Sequence, residues 1–149
     1  MPNSHFDVKL ISRSQGQSAV ASAAYRAGQS LHDTRLDVSF NYANKRDVRF
    51  TDIMLPATHP TWATDRERLW NEVEASEKRV NSQLSRSITA ALPRELDLRQ
   101  QTALVRQFVH ENFTSRGMIA DIAIHEITAS DGLPNPHVHI MLTLRNTDR

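Results

Sequence analysis

Hydrophobic and polar residues alternate or recur at helical spacing along the chain, and these patterns divide it into short elements. Residues 6–11 alternate apolar and polar side chains, which is typical of an opening strand. The alanine-rich run 19–27 predicts a short helix that Ser18 caps and Gly28 terminates. Tyr25 therefore lies near the C-terminal end of the first predicted helix.

The same patterns predict seven further elements. In chain order they are strands over 36–42 and 48–55, a helix over about 64–80, a strand over 85–92, a helix over about 97–115, and a hairpin of strands over 118–127 and 137–144. The turn-forming segment 128–136 joins the last two strands. This order predicts an α+β fold in which the helices pack on one face of an antiparallel β-sheet.

Composition limits the classes of protein and site. With 149 residues, 39% of them hydrophobic and 23% charged, the chain fits one globular domain over residues 1–149. It has no cysteine, so disulfides and thiolate metal sites are excluded and histidine or carboxylate ligands remain. No apolar run approaches the roughly 18 residues of a membrane span and no signal peptide is evident, so we expect a cytoplasmic protein without membrane insertion.

Overall charge does not indicate a nucleic-acid partner. The formal net charge is +1 and the sequence pI is about 8.3. A typical DNA-binding domain has a pI above about 9. Any interaction with DNA must therefore come from local groups of residues and not from bulk charge.

Three histidines fall on the predicted C-terminal hairpin. His137 and His139 are two residues apart, so both side chains leave a strand on the same face. A register that sets His125 opposite either one brings three imidazoles together, and three imidazoles can hold a metal with positions open for water or a phosphate oxygen. Val138 and Ile140 would face a core, which leaves the histidines on a solvent face. A chance pair on a half-solvated strand is the alternative.

Tyr25 alone has two interpretations. A tyrosine on an alanine-rich helix commonly packs against a core with its hydroxyl at the edge. However, Arg26 and the polar loop 12–18 supply donors suited to phosphate. A phenol becomes a competent nucleophile only when a metal ion, a cation or a base helps to remove its proton. The residues themselves leave both interpretations open.

Several short segments together resemble one protein family. They are ISR at 11–13, GQSA at 16–19, AYR at 24–26, LWN at 69–71, EKR at 77–79, ALPREL at 91–96, RGM at 116–118, His125, and NPHVH at 135–139. This set resembles the N-terminal relaxase domain of the MobA/MobL family of conjugative plasmid mobilisation proteins, and the resemblance covers nearly the whole chain. It implies the N-terminal domain of a longer protein.

The resemblance implies a His-hydrophobic-His (HUH) endonuclease that nicks plasmid transfer-origin DNA at one site on one strand. Tyr25 would form a 5′-phosphotyrosyl link and religate it, while His125, His137 and His139 would hold a divalent ion, Mn²⁺ or Mg²⁺, that polarises the phosphate. The DNA would be single-stranded or melted, and accessory relaxosome and coupling proteins would be partners. The basic residues expected along the DNA backbone are Arg13, Arg26, Lys78, Arg79 and Arg86.

Position 87 departs from the family pattern. The family commonly carries a glutamate after the arginine equivalent to Arg86, where this chain has Ser87. Such a glutamate could accept the tyrosine proton or orient a metal ligand. Asp121 shares strand parity with His125 and is the candidate to hydrogen-bond a ligand in its place, with a solvent-facing carboxylate as the alternative.

Two rival functions use the same residues. The first is a non-catalytic module that binds single-stranded DNA and holds a structural metal, with Tyr25 merely packed. The second is a rolling-circle replication initiator nickase. In that class the tyrosine is expected after the histidine pair, whereas Tyr25 comes long before His125, so the order of the residues favours a relaxase.

Overall fold

The computed structural model describes residues 6–80 and 82–144, and within them the chain forms three α-helices and seven strands. In chain order these are β1 (Phe6–Ser12), α1 (Ala19–Ala27), β2 (Ser30–Asp33), β3 (Val38–Asn41), β4 (Val48–Met54), α2 (Arg66–Ser76), β5 (Gln83–Ala91), α3 (Leu98–Asn112), β6 (Ala120–Thr128) and β7 (Pro134–Leu142). Five strands form one antiparallel sheet in the order β1, β5, β7, β6, β4, while β2 and β3 form a separate hairpin. None of these helices is long and apolar enough to cross a membrane.

The predicted α+β architecture is confirmed, but the prediction that all helices pack on one face is wrong. Helices α1 and α2 cover one face, where Trp70 packs in a cluster with Met141. Helix α3 covers the other, where Val109 joins a cluster with Ile122 and Ile140. The central strands carry apolar residues at both parities, so burying them requires cover on both sides.

Local boundaries differ from prediction in two regions. The chain between α1 and α2 contains three strands where two were predicted, because the short segment of β2 has no clear alternation and is a strand only through its pairing with β3. Helix α2 ends at Ser76 because Glu77 already has extended φ and ψ values of −108° and 111°. The residues from 77 to 80 are therefore outside the helix.

Helix α1 is fixed at its start by polar contacts. The Ser18 side chain accepts a hydrogen bond from the Ala21 amide at 3.0 Å and donates one to Asp33 at 2.6 Å. Glu74 on α2 accepts the Ala19 amide at 2.7 Å. At the other end Gly28 takes the left-handed conformation that stops the helix, with φ of 64°. These contacts set the direction in which α1 delivers its last residues to the sheet.

Candidate active site

The hairpin of β6 and β7 brings the three predicted histidines together. His125 lies directly opposite His137, one of the two registers expected, and the ring centroids of His125 and His139 are 4.4 Å apart. Val138 and Ile140, of opposite parity, are buried in the cluster beneath α3. The prediction that the histidines share one face of the hairpin is therefore confirmed.

That face is not the solvent face that the sequence predicted. His125 is only 6% exposed, because the C-terminal end of α1 lies over it. The Nε2 of His125 donates a hydrogen bond to the backbone carbonyl of Arg26. This bond links the strand that carries the first histidine to the residue that follows Tyr25.

The other two rings are also oriented by one nitrogen each. The Nδ1 of His137 donates to the carbonyl of Asn135 at 3.0 Å, and the Nδ1 of His139 is 3.2 Å from the Thr89 hydroxyl. A histidine that binds a metal commonly uses its second nitrogen in this way. Within residues 6–80 and 82–144, the Nδ1 of His125 and the Nε2 atoms of His137 and His139 form no hydrogen bond, although the Asp47 carboxylate lies 3.8 Å from the first.

The surroundings keep two of the rings neutral. Burial, with the nearby charges of His125, Arg26, His137 and Lys45, lowers the pKa of His139 to about 3. Burial also lowers the pKa of His125, although the Arg26 carbonyl and Asp47 oppose that shift. A metal ion requires neutral imidazoles, so this electrostatic setting suits ligation.

Donor type and position fit a divalent ion, but the rings do not yet converge. Within the described residues, no three histidine or carboxylate side chains are arranged as a ready ligand set. The strand register already places the backbones of His125, His137 and His139 side by side on one face. Binding an ion would therefore require the three side chains to reorient, without any change of strand pairing.

Tyr25 lies on the exposed side of α1 and is held by its neighbours. Its side chain is 49% exposed, its ring makes an edge contact with Tyr42 at 5.1 Å between centroids, and the Lys45 ammonium lies 3.8 Å from the ring centre. Lys45 is also 3.8 Å from Asp47, whose carboxylate is 3.8 Å from Nδ1 of His125. The loop between β3 and β4 thus bridges Tyr25 and the histidines.

Arg26 and Ser87 contact each other. The Nη2 of Arg26 donates to the Ser87 hydroxyl at 3.0 Å, and Nη1 donates to the carbonyl of Ser22 at 3.3 Å. Burial lowers the pKa of Arg26, against the opposing charges of Tyr25 and Asp121. Position 87, where the resemblance implies an acid, therefore faces Arg26 in this chain.

Asp121 contacts an arginine and a tryptophan, not a histidine. Its carboxylate accepts from Nε of Arg66 at 2.9 and 3.0 Å and from the Trp70 indole at 2.9 Å. Burial raises the pKa of Asp121, and these donors oppose that shift. The parity with His125 is as expected, but the carboxylate is used to join α2 to the sheet.

The five basic residues expected along DNA are dispersed. Arg13 is 12% exposed and pairs with Glu74 at 2.7 Å, so its role here is structural. Lys78 and Arg79 line a cleft of about 700 Å³ between the end of α2 and the start of β5. Arg86 alternates with Ser87 and lies on the α3 face. Only Arg26 of the five lies among the histidines.

Sequence reasoning missed three residues that border the site. Lys45 and Asp47 stand in a polar loop that resembled an ordinary connection, and Thr89 is an unremarkable position in β5. Thr89 borders the site because β5 pairs with β7 and sets it opposite His139. Asp47 borders it because its carbonyl accepts a hydrogen bond from the Glu126 amide of β6, and Lys45 lies beside Asp47. The cluster of basic residues at 45–49 was the one available signal.

Comparison with known proteins gives a consistent family. The MobA/MobL family profile matches residues 17–149. The conjugal transfer protein TraA of Rhizobium radiobacter is 40% identical over 155 residues, covering 97% of this chain and 14% of that protein. The mobilization protein MobL of Acidithiobacillus ferridurans is 38% identical over 121 residues, covering 81% of this chain and 31% of that protein.

A solved structure gives the same result for the fold. A structure described as the molecular basis of vancomycin resistance transfer in Staphylococcus aureus superimposes with a TM-score of 0.86 and 36% sequence identity. The match covers 95% of this chain and 70% of that one. In contrast, this chain spans only about one seventh of the length of TraA.

Proposed function

Because the chain belongs to the MobA/MobL family of conjugal mobilisation relaxases, we propose that it nicks one strand of transfer-origin DNA with Tyr25 as the nucleophile. The observation that carries the proposal is the contact between His125 and the backbone of Arg26. It brings the end of the tyrosine helix to the histidine face of the sheet. This contact supports the proposal because it joins the two proposed halves of the site, which are distant in sequence.

The proposed reaction is a transesterification at phosphorus. The phenolic oxygen of Tyr25 bonds to the phosphorus, and the bond from phosphorus to the deoxyribose 3′-oxygen breaks. The proton lost by the phenol is matched by the proton that the leaving 3′-oxygen gains. One phosphodiester replaces another, so the 5′-phosphotyrosyl link can be resealed by the reverse reaction.

We propose that His125, His137 and His139 hold a divalent ion, Mn²⁺ or Mg²⁺. Such an ion supplies charge neutralisation at the scissile phosphate. The lowered pKa values of His125 and His139 support the proposal, because the rings need no deprotonation before they bind. The hydrogen bonds to Arg26, Asn135 and Thr89 support it because each of them uses only one nitrogen of a ring.

DNA would approach the exposed side of Tyr25, which is bordered by Tyr42 and Lys45. Aromatic rings and cations on one surface suit stacked bases and backbone phosphates of a single strand. Lys78 and Arg79 offer a second basic region farther along the molecule. We propose accessory relaxosome and coupling proteins as further partners.

The proposal is tested with an end-labelled single-stranded oligonucleotide that carries the transfer origin of the encoding element. We expect a single cut in the presence of Mn²⁺ or Mg²⁺, no cut with a chelator, and transfer of the bound strand to a second oligonucleotide. Binding without cutting in either metal would contradict the proposal and support a passive DNA-binding module.

A further inference from the structure

Buried arginines in this protein normally have a carboxylate partner. Arg66 pairs with Asp121 at 2.9 Å, with side chains 9% and 5% exposed, and Arg13 pairs with Glu74, which also binds Arg35. A buried charge without a partner is costly, and pairing compensates for much of that cost. In each of these pairs, a carboxylate balances the charge of a guanidinium buried under α1 and α2.

Arg26 is different. In residues 6–80 and 82–144 it forms no ion pair, and its hydrogen bonds go only to the Ser87 hydroxyl and the Ser22 carbonyl. Its Nε is fully buried and has no hydrogen-bond partner among those residues, which is also true of Arg13, so the difference between the two lies in the missing carboxylate. A half-buried cation with spare donors is therefore present without a negative charge bound to it.

The place of Arg26 indicates what that negative charge could be. Its backbone contacts His125, and its charge acts on both His125 and His139. Tyr25 and Asp121 are both near enough for a negative charge on either to favour the charged form of Arg26, but the Asp121 carboxylate pairs with Arg66. An anion bound to this guanidinium would be adjacent to both halves of the proposed active site.

We infer that Arg26 is a binding site for a phosphate oxyanion, which Ser87 leaves open. Guanidinium groups bind phosphate through charge-assisted hydrogen bonds, often two at once. A serine hydroxyl next to it adds a donor and no negative charge. The ligand, a DNA phosphate, rests on the proposed function, while the anion site itself is independent of the metal and of Tyr25.

The same geometry gives position 87 a defined effect. A carboxylate there would replace the hydroxyl that now accepts from Nη2 of Arg26 and would pair with the guanidinium. The internal carboxylate would then compete with phosphate. This chain, with Ser87, is expected to bind phosphate more tightly than its Ser87→Glu variant.

The test is a titration of metal-free, chelator-treated protein with inorganic phosphate at constant ionic strength, followed by calorimetry. Arg26→Gln should weaken phosphate binding by about tenfold or more, the effect expected when a charge-assisted bond is lost. The matched control is Arg99→Gln, which removes the same charge from an exposed position of α3 on the opposite face and should leave the affinity unchanged.

Position 87 is tested with two substitutions, to Glu and to Gln, whose side chains have nearly equal volume. Ser87→Glu should weaken binding by about tenfold relative to Ser87→Gln, because only the glutamate carries the competing charge. Equal affinities in these two folded variants, or in Arg26→Gln and the unmodified protein, would overturn the inference. If Ser87→Glu does not fold, the comparison of Arg26→Gln with Arg99→Gln decides.

The two tests can contradict the anion site without contradicting the proposed nicking activity, and the reverse. Phosphate binding that does not depend on Arg26, with intact nicking by Tyr25, would remove the anion site and leave the relaxase. Arg26-dependent phosphate binding without any cutting of DNA would keep the anion site and remove the relaxase.

Discussion

Helices cover both faces of the central sheet, but the side chains buried on the two faces differ in polarity. Under α3, aliphatic side chains such as Val109, Ile122 and Ile140 pack together. Under α1 and α2, the sheet instead buries Asp121 and His125 among apolar neighbours. Adjacent residues of β6 therefore differ in surroundings: Ile122 packs in the aliphatic cluster under α3, whereas Asp121 and His125 are buried on the opposite face.

The polar face itself has two parts. Where α2 lies, every buried charge named above is paired, as in Arg66 with Asp121. Where α1 ends, and among the residues that the structure describes, one nitrogen of each histidine forms no hydrogen bond and Arg26 has no carboxylate partner. Unpaired polar groups cost stability, and Nε of Arg13 beside α2 is one of them, but the end of α1 combines Nε of Arg26 with the histidine nitrogens, and we assign that region to catalysis.

The largest expected effect on stability concerns the paired region. Asp121→Asn should lower the free energy of unfolding by about 3 kcal/mol, because it leaves Arg66 buried without its counter-charge. On the α3 face, Ile122→Val should cost about 1 kcal/mol, the usual loss of one buried methyl group. Urea unfolding of both variants measures the difference. Equal losses would show that the two faces are stabilised alike.

The sequence predicted the histidine face well and its surroundings poorly. Strand parity placed His137 and His139 on one side, because alternation is a local property of a strand, and a pairing register of the hairpin was needed to add His125. It could not show that α1 covers His125 or that Asp121 binds Arg66, since both depend on how helices far apart in sequence dock on the sheet. The sequence likewise could not show that Ser87 contacts Arg26, because the two residues lie on different elements.

A second prediction concerns the metal. His137→Ala and His139→Ala should each weaken Mn²⁺ binding by well over tenfold, because loss of a residue that merely orients a ligand already costs about 10- to 100-fold. His59→Ala, an exposed position away from the hairpin, is the control and should bind normally. Calorimetry that finds all three variants equal to the unmodified protein would rule out this ligand set.

A third prediction concerns the pH dependence of stability. Folding lowers the pKa of His139 from an ordinary value near 6.5 to about 3, so between these pH values the unfolded chain binds a proton that the folded chain does not. The stability that this group contributes is therefore present above pH 6.5 and is lost as the pH falls toward 3. In metal-free protein, His139→Gln should flatten the decline in unfolding free energy over that window, whereas His59→Gln should not. An unchanged slope in His139→Gln would show that the ring is not held neutral by the fold.

The central claim is that Tyr25 becomes covalently bound to DNA. The chain contains two tyrosines, Tyr25 and Tyr42, whose rings touch, so Tyr42→Phe is a matched control for Tyr25→Phe. After incubation with origin DNA and Mn²⁺, mass spectrometry of the digested protein should find a nucleotide adduct on the Tyr25 peptide in the unmodified protein and in Tyr42→Phe, and none in Tyr25→Phe. An adduct that persists in Tyr25→Phe, or that disappears only in Tyr42→Phe, would contradict the account.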